Sequence, residues 1–282
     1  SEYNSFDNSD VEGLDFNELY YATSLKNLPN LRFVIGQMDL TSYFDRNSFA
    51  KDGASHFFNS VFQTNPALSS TGIGSRSGLL VNWNATDNLI AKAAVFSSSR
   101  KLSDFSLDGF AGEVGVRFGN AIIRGTYSTD KDAGNRDSFL ESFGIARGNN
   151  QFGPLESDRE SAYGLNAEVF IPEYKLGLFG RYGRYENQDL DRGADTYSFG
   201  LSFLDLFTPD SRLGLAYGRT LSNDALCQGK HPDVVELFYD LKLHPNLRLG
   251  FTLQGRESFN ESILGIRVKT EFDITPRRRN TR

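Results

Sequence analysis

LRLGFTLQ (Leu247–Gln254) and ILGIRVKTEF (Ile263–Phe272) alternate between apolar and polar side chains. In the first, Leu247, Leu249, Phe251 and Leu253 share one face, and Arg248, Gly250, Thr252 and Gln254 the other. In the second, Leu264, Ile266, Val268 and Phe272 oppose Gly265, Arg267, Lys269 and Glu271. Successive side chains of a strand point to opposite faces, so each stretch is a strand with one greasy and one polar side. Tyr174–Gly183 repeats the pattern, with Leu176, Leu178 and Tyr182 set against Lys175, Gly177, Phe179 and Arg181.

The same period runs through Phe110–Phe118, Ala121–Tyr127, Tyr163–Val169, Tyr197–Phe203, Arg212–Tyr217 and Val235–Leu243. It is weaker in Leu14–Tyr21, Leu31–Asp39, Gly78–Trp83 and Leu89–Phe96. The reading predicts about thirteen strands, each near the ~9–11 residues of a tilted membrane-crossing strand. No long amphipathic helix is legible, although Asp137–Gly148 has room for a short one.

Composition agrees. Among 282 residues there are 27 glycines, 24 phenylalanines and 12 tyrosines, a balance that favours strands and tight turns. No apolar run approaches the ~18–20 residues of a transmembrane helix. A net charge of -6 argues against a nucleic-acid partner, and Arg277–Arg279 reads as part of a solvated basic tail, residues 275–282. Cys227 is the single cysteine, so neither an intramolecular disulfide nor a cysteine metal site forms.

The links alternate in length. Leu25–Asn30, Ala85–Asn88, Gly119–Asn120, Pro172–Glu173, Thr208–Ser211 and His244–Asn246 are short. Leu40–Ser77, Ser97–Asp108, Ser128–Ser161, Glu186–Asp195 and Leu221–Pro232 are long, with Arg256–Glu261 a modest exception. Short turns at one end and long loops at the other is the outer-membrane β-barrel arrangement, and with the uniform strand length it favours a barrel over a soluble sandwich. Direction then sets an expectation. The first and last readable strands both run towards the short-turn side, so at least one strand is expected upstream of Ser1. Residues 1–13 read as an outer-loop segment and 14–274 as the barrel.

The run LRFVIGQMDLTSYFDRNSFAKDGASHFFNSVFQTNPAL, Leu31–Leu68, resembles the signature region of the carbohydrate-selective porin (OprB) family. Gly36, Asp39, Phe44, Asp45, Asn47, Phe49, Ala50, Phe58, Asn59, Asn65, Pro66 and Ala67 match its pattern, while Gln37 stands where lysine is usual and His56-Phe57 replaces the glutamine. Val235–Leu253 resembles the family's late hairpin, with a departure at Gln254, and ILGIRVKTEF its closing strand. The resemblance implies an all-β antiparallel barrel of about sixteen strands, some three of them before Ser1. It also implies a passive outer-membrane channel for small hydrophilic solutes, often sugars, with outer-membrane lipids as surroundings, a possible homo-oligomer and no cofactor. Related cyanobacterial channels suggest inorganic ions as the alternative solute.

A channel's chemistry is that of its narrowest ring. The link Leu40–Ser77 is the candidate for a segment folded into the lumen, with Asp45, Arg46, Asn47 and Lys51 expected at the constriction. Phe44, Phe49 and Phe58 are expected to pack that segment against the wall. Lys92, Glu113, Arg117, Arg124, Glu168, Lys175, Arg181, Arg212, Arg248, Arg267 and Lys269 are expected on the lumen wall. Cations dominate that set. The acidic excess is expected in outer loops, at Asp130, Asp132, Asp137, Glu156 and Asp158, giving a neutral or mildly anion-favouring lumen. His56, His231 and His244 lack metal-ligand spacing, and no nucleophile-elbow or phosphate-loop motif occurs. A barrel-embedded hydrolase using His56 with Ser55 or Ser60, and a structural outer-membrane protein, are the alternatives from other classes.

Overall fold

The structure, a computed structural model, describes residues 17–271 apart from 52, 149, 228, 230 and 231. The outer-loop segment 1–13, the basic tail 275–282, His231 and Phe272 lie outside the described residues. The strands are β1 (Leu19–Leu25), β2 (Leu28–Asp39), β3 (Ser75–Asn84), β4 (Leu89–Ser97), β5 (Leu107–Phe118), β6 (Ala121–Lys131), β7 (Ala146–Gly148) and β8 (Gln151–Phe152). They continue as β9 (Arg159–Ile171), β10 (Leu176–Asn187), β11 (Arg192–Leu204), β12 (Arg212–Ser222), β13 (Asp233–His244), β14 (Leu247–Arg256) and β15 (Glu261–Thr270). Thirteen of them form one antiparallel sheet in chain order, with β6 pairing directly to β9 and β7–β8 forming a separate hairpin. The sheet is open between β1 and β15 among the described residues.

Both predicted faces are present. Leu215, Leu237, Phe251, Leu253, Leu264, Ile266 and Val268 are exposed on the outer face. Exposed and half-buried aromatic residues mark both rims of this apolar band. Trp83, Phe118, Tyr174 and Phe207 sit near the short turns. Tyr127 and Tyr163, 5.1 Å apart, and Tyr197 and Tyr217, 6.2 Å apart, lie towards the long links. An apolar band flanked by aromatic girdles is what a bilayer requires of a barrel exterior.

The core lies on the inner face and is supplied by residues 40–74. Leu40, Phe44, Ala67, Leu68 and Ile73 pack against wall residues including Val34, Leu80, Phe96 and Tyr185. Phe49, Phe57, Val61 and Phe62 pack against Phe179, Ala216, Val234 and Phe238. The sheet curls around this segment. Lys92 on β4 donates to the Tyr43 carbonyl, and Arg267 on distant β15 donates to the Gly53 carbonyl at 2.6 Å.

Two local expectations are corrected. The link expected to be long at Glu186–Asp195 is only residues 188–191, because β10 and β11 stay paired up to Asn187 and Arg192. Within Asp137–Gly148 there is a 3-10 turn, Leu140–Gly144, followed by β7, and no α-helix. The α-helices are instead two single turns inside the lumen segment, α1 (Ser60–Gln63) and α2 (Pro66–Ser69). They are too short to show a period.

Candidate pore constriction

A segment that crosses the lumen without joining the sheet leaves its backbone N–H groups unmatched, and each one buried that way costs roughly 1–3 kcal/mol. Here three wall carboxylates accept four of them. Glu113 on β5 accepts from the Asp45 N–H at 2.7 Å, and also from Lys92 at 2.6 Å and the Thr126 hydroxyl at 2.9 Å. Glu168 on β9 accepts from the Ser48 N–H and from Arg124 at 3.0 Å. Glu236 on β13 accepts from the N–H groups of Phe58 at 2.6 Å and Asn59 at 2.9 Å, and from the Thr252 hydroxyl at 2.8 Å. All three glutamates are buried. Hydrogen bonds to an ionised acceptor are about twice as strong as neutral ones, so these bonds fix the segment firmly.

Asp45 is the segment's own anchor. Its left-handed backbone (φ 50°) aims the N–H at Glu113, while the carboxylate reaches back into the segment and across to the wall. That carboxylate accepts from the Asn65 N–H at 2.8 Å and from the Asn166 side chain at 2.8 Å, and it pairs with Arg181 Nε at 3.1 Å. Asn47 donates to Asn166 Oδ1 at 2.9 Å. Arg181 in turn donates to the Phe62 and Asp45 carbonyls. Asn59 caps α1 by accepting from Val61 N–H, and Asn65 caps α2 by accepting from Ala67 N–H, each at 3.1 Å. Pro66 opens α2, where its missing N–H costs nothing. Gly164 and Gly183 form the floor beneath α2. A Cβ on Gly183 would lie 2.1 Å from Asn65 Oδ1, so only glycine permits the approach.

The residues expected at the constriction therefore divide. Asp45 and Asn47 are buried among wall partners, whereas Arg46 is exposed and, among the described residues, donates to the Ser42 carbonyl at 3.1 Å. Lys51 is partly covered and donates to the Thr64 hydroxyl at 3.0 Å. Burial lowers its pKa to about 8, with Asp45 pulling the other way. Phe44, Phe49 and Phe57 are buried packing, and Phe58 lies under the Arg267 guanidinium at 4.1 Å.

On the wall, Lys92, Glu113, Arg124, Glu168 and Arg181 converge on residues 40–74 as described. Arg212 donates to Ser55 at 2.7 Å and lies 3.2 Å from His56 Nε2. Arg248 and Arg267 share Asp240, so two cations meet one carboxylate. Lys269 pairs with Glu271 at 3.2 Å, and Arg117 is exposed with no ion pair among the described residues. Lys175 lies elsewhere. It sits in the turn before β10, in left-handed backbone, and pairs with Asp205 of another turn, so it is a rim residue. The outer-loop acids also differ from expectation. Asp130, Asp132 and Asp158 are buried, with Asp158 held by Arg147 and Asn187, and so form no solvated acidic screen. The sequence reading does not single out Glu236, Asn166 or Asp240. All three carry the inward parity of strands it does identify.

A profile of the carbohydrate-selective porin, OprB family, matches residues 6–272. The chain belongs to that family. It is an outer-membrane porin. Among solved structures it is similar to Pseudomonas putida OprB at high pH, with TM-score 0.60 and 14% identity over 89% of this chain and 70% of that one. It is also similar to a loop-deletion mutant of Vibrio cholerae OmpT, an outer membrane protein, with TM-score 0.57 and 12% identity over 85% and 75%. The trimer form of that OmpT gives TM-score 0.52 and 11% identity over 86% and 73%. These likenesses concern the fold. No curated protein matches the chain by sequence. The family's signature residues now have physical roles in this chain: Asp45, Asn47, Asn59 and Asn65 seat and cap the lumen segment. Gln37, one departure from the pattern, bonds Ser75 and Ser77 at the neck of the segment, on the strand face opposite Val34 and Met38.

Two outcomes are expected. Glu236→Gln removes the anionic acceptor from both the Phe58 and Asn59 N–H groups and turns an amide NH2 towards one of them, so single-channel conductance should rise and open-state noise grow. Unchanged conductance from the folded variant would separate the anchors from pore size. Lys51 should lose its charge as pH rises through about 8. The anion-to-cation permeability ratio is expected to fall between about pH 7 and 9, and Lys51→Met to flatten that step; an identical step in the variant would assign it to another group.

Proposed function

We propose that the chain passes small neutral saccharides by passive diffusion, through a lumen narrowed by residues 40–74. Arg46 and Lys51 are the charges solutes meet there, while Asp45, Asn47 and Arg181 hold the segment in place. The observation that carries this reading is the seating of a whole segment on three wall carboxylates, which gives a fixed aperture rather than a mobile flap. Most wall charges are matched in pairs, which suits uncharged solutes. The exposed Arg46 and Arg117 favour a second reading, a mildly anion-preferring ion channel.

The hydrolase alternative is disfavoured at His56. A guanidinium 3.2 Å from its Nε2 opposes the protonated ring that a general base must form. We further propose that the channel assembles as a homo-oligomer, the state named for the trimer form of Vibrio cholerae OmpT. Native electrophoresis of the detergent-extracted protein reads this directly.

The test is single-channel recording of the purified protein in planar bilayers, with glucose or maltose titrated against the current. Stepwise currents that a sugar partly blocks are expected. Currents indifferent to sugars would move the solute to ions, and the absence of any channel would overturn the function.

A further inference from the structure

Above the constriction, an open pocket of about 460 Å³ lies between the α1–α2 stretch, the link 132–158 and the outer end of β12. Its volume falls within the ~300–1,000 Å³ typical of small-molecule sites. We propose that this pocket captures a mono- or disaccharide before it reaches the constriction; the proposal rests on the saccharide-porin reading.

The lining has the chemistry a sugar needs. Each sugar hydroxyl both donates and accepts, so its site has to offer both. Asp137 is exposed, lines the pocket and forms no ion pair among the described residues, so its carboxylate can accept from two neighbouring hydroxyls. Ser138 spends its proton on the Tyr185 hydroxyl, at 3.2 Å, and keeps lone pairs to accept with. Thr64 is the converse. Its oxygen accepts from Lys51 at 3.0 Å, which leaves its own proton to donate. Leu140, 64% exposed, together with Pro66 and Leu221 offers apolar surface for the C–H face of a pyranose ring.

Other occupants fit less well. No group of three His, Cys, Asp or Glu able to hold a metal occurs among the described residues.

The test uses the full protein in planar bilayers, with maltose added from the long-loop side and block read from current noise. Asp137→Asn should raise the half-blocking maltose concentration about tenfold, the loss of one charge-assisted bond. Its open-channel conductance should equal the wild type's, which also reports an intact barrel. Ser138→Ala should weaken block in the same direction by a smaller factor. Wild-type block that neither variant changes would overturn the pocket and leave the saccharide reading standing. A wild-type channel that maltose does not block from either side would overturn both.

Discussion

The rest of this structure depends on the pairing of buried wall carboxylates with the backbone N–H groups of the lumen segment. Among its described residues, the segment 40–74 forms one 3-10 turn and two single-turn α-helices, and the N–H groups of Asp45, Ser48, Phe58 and Asn59 point out of it to the wall. Glu113, Glu168 and Glu236 reach in from three separate strands and accept those donors. Each carboxylate is then offset by a neighbouring cation or hydroxyl: Lys92, Arg124 and Thr252. Charges that could have been free to act on solutes are committed to holding the aperture.

This commitment explains why the signature stretch is dense in Asp, Asn and Phe. Asp45 joins four elements at once, through Glu113, Asn65, Asn166 and Arg181. The phenylalanines fill the space between the segment and the wall in two clusters. Aromatic and amide residues of this kind look from sequence like sugar-binding chemistry. In the fold most of them are internal to the protein, whereas Arg46 is exposed.

The wall was largely legible because period-two alternation is imposed by the bilayer on one side and by the lumen on the other. Leu247–Gln254 carries that signal in eight residues, and the structure places its leucines outward and Thr252 and Gln254 inward. Turn residues were less legible. Lys175 continues the alternation on paper but belongs to the turn, where its left-handed backbone breaks the register. The lumen segment's helices left no periodic trace, yet Asn59, Asn65 and Pro66 carried their caps and start in plain view. Burial of charge was the least legible property. Asp130, Asp132 and Asp158 read as a solvated acidic loop, because composition does not record that Arg147 and Asn187 fold over Asp158.

The most direct test of the central claim is to join the segment to the wall and record the current. Asn47 and Asn166, bonded at 2.9 Å, would be replaced by cysteines in a Cys227→Ser background and treated with a short bifunctional thiosulfonate. If the segment rests on the wall as described, the bridge should form readily and leave open-channel conductance unchanged. A bridge that does not form, or one that closes or widens the channel, would show that the segment lies elsewhere in the conducting state.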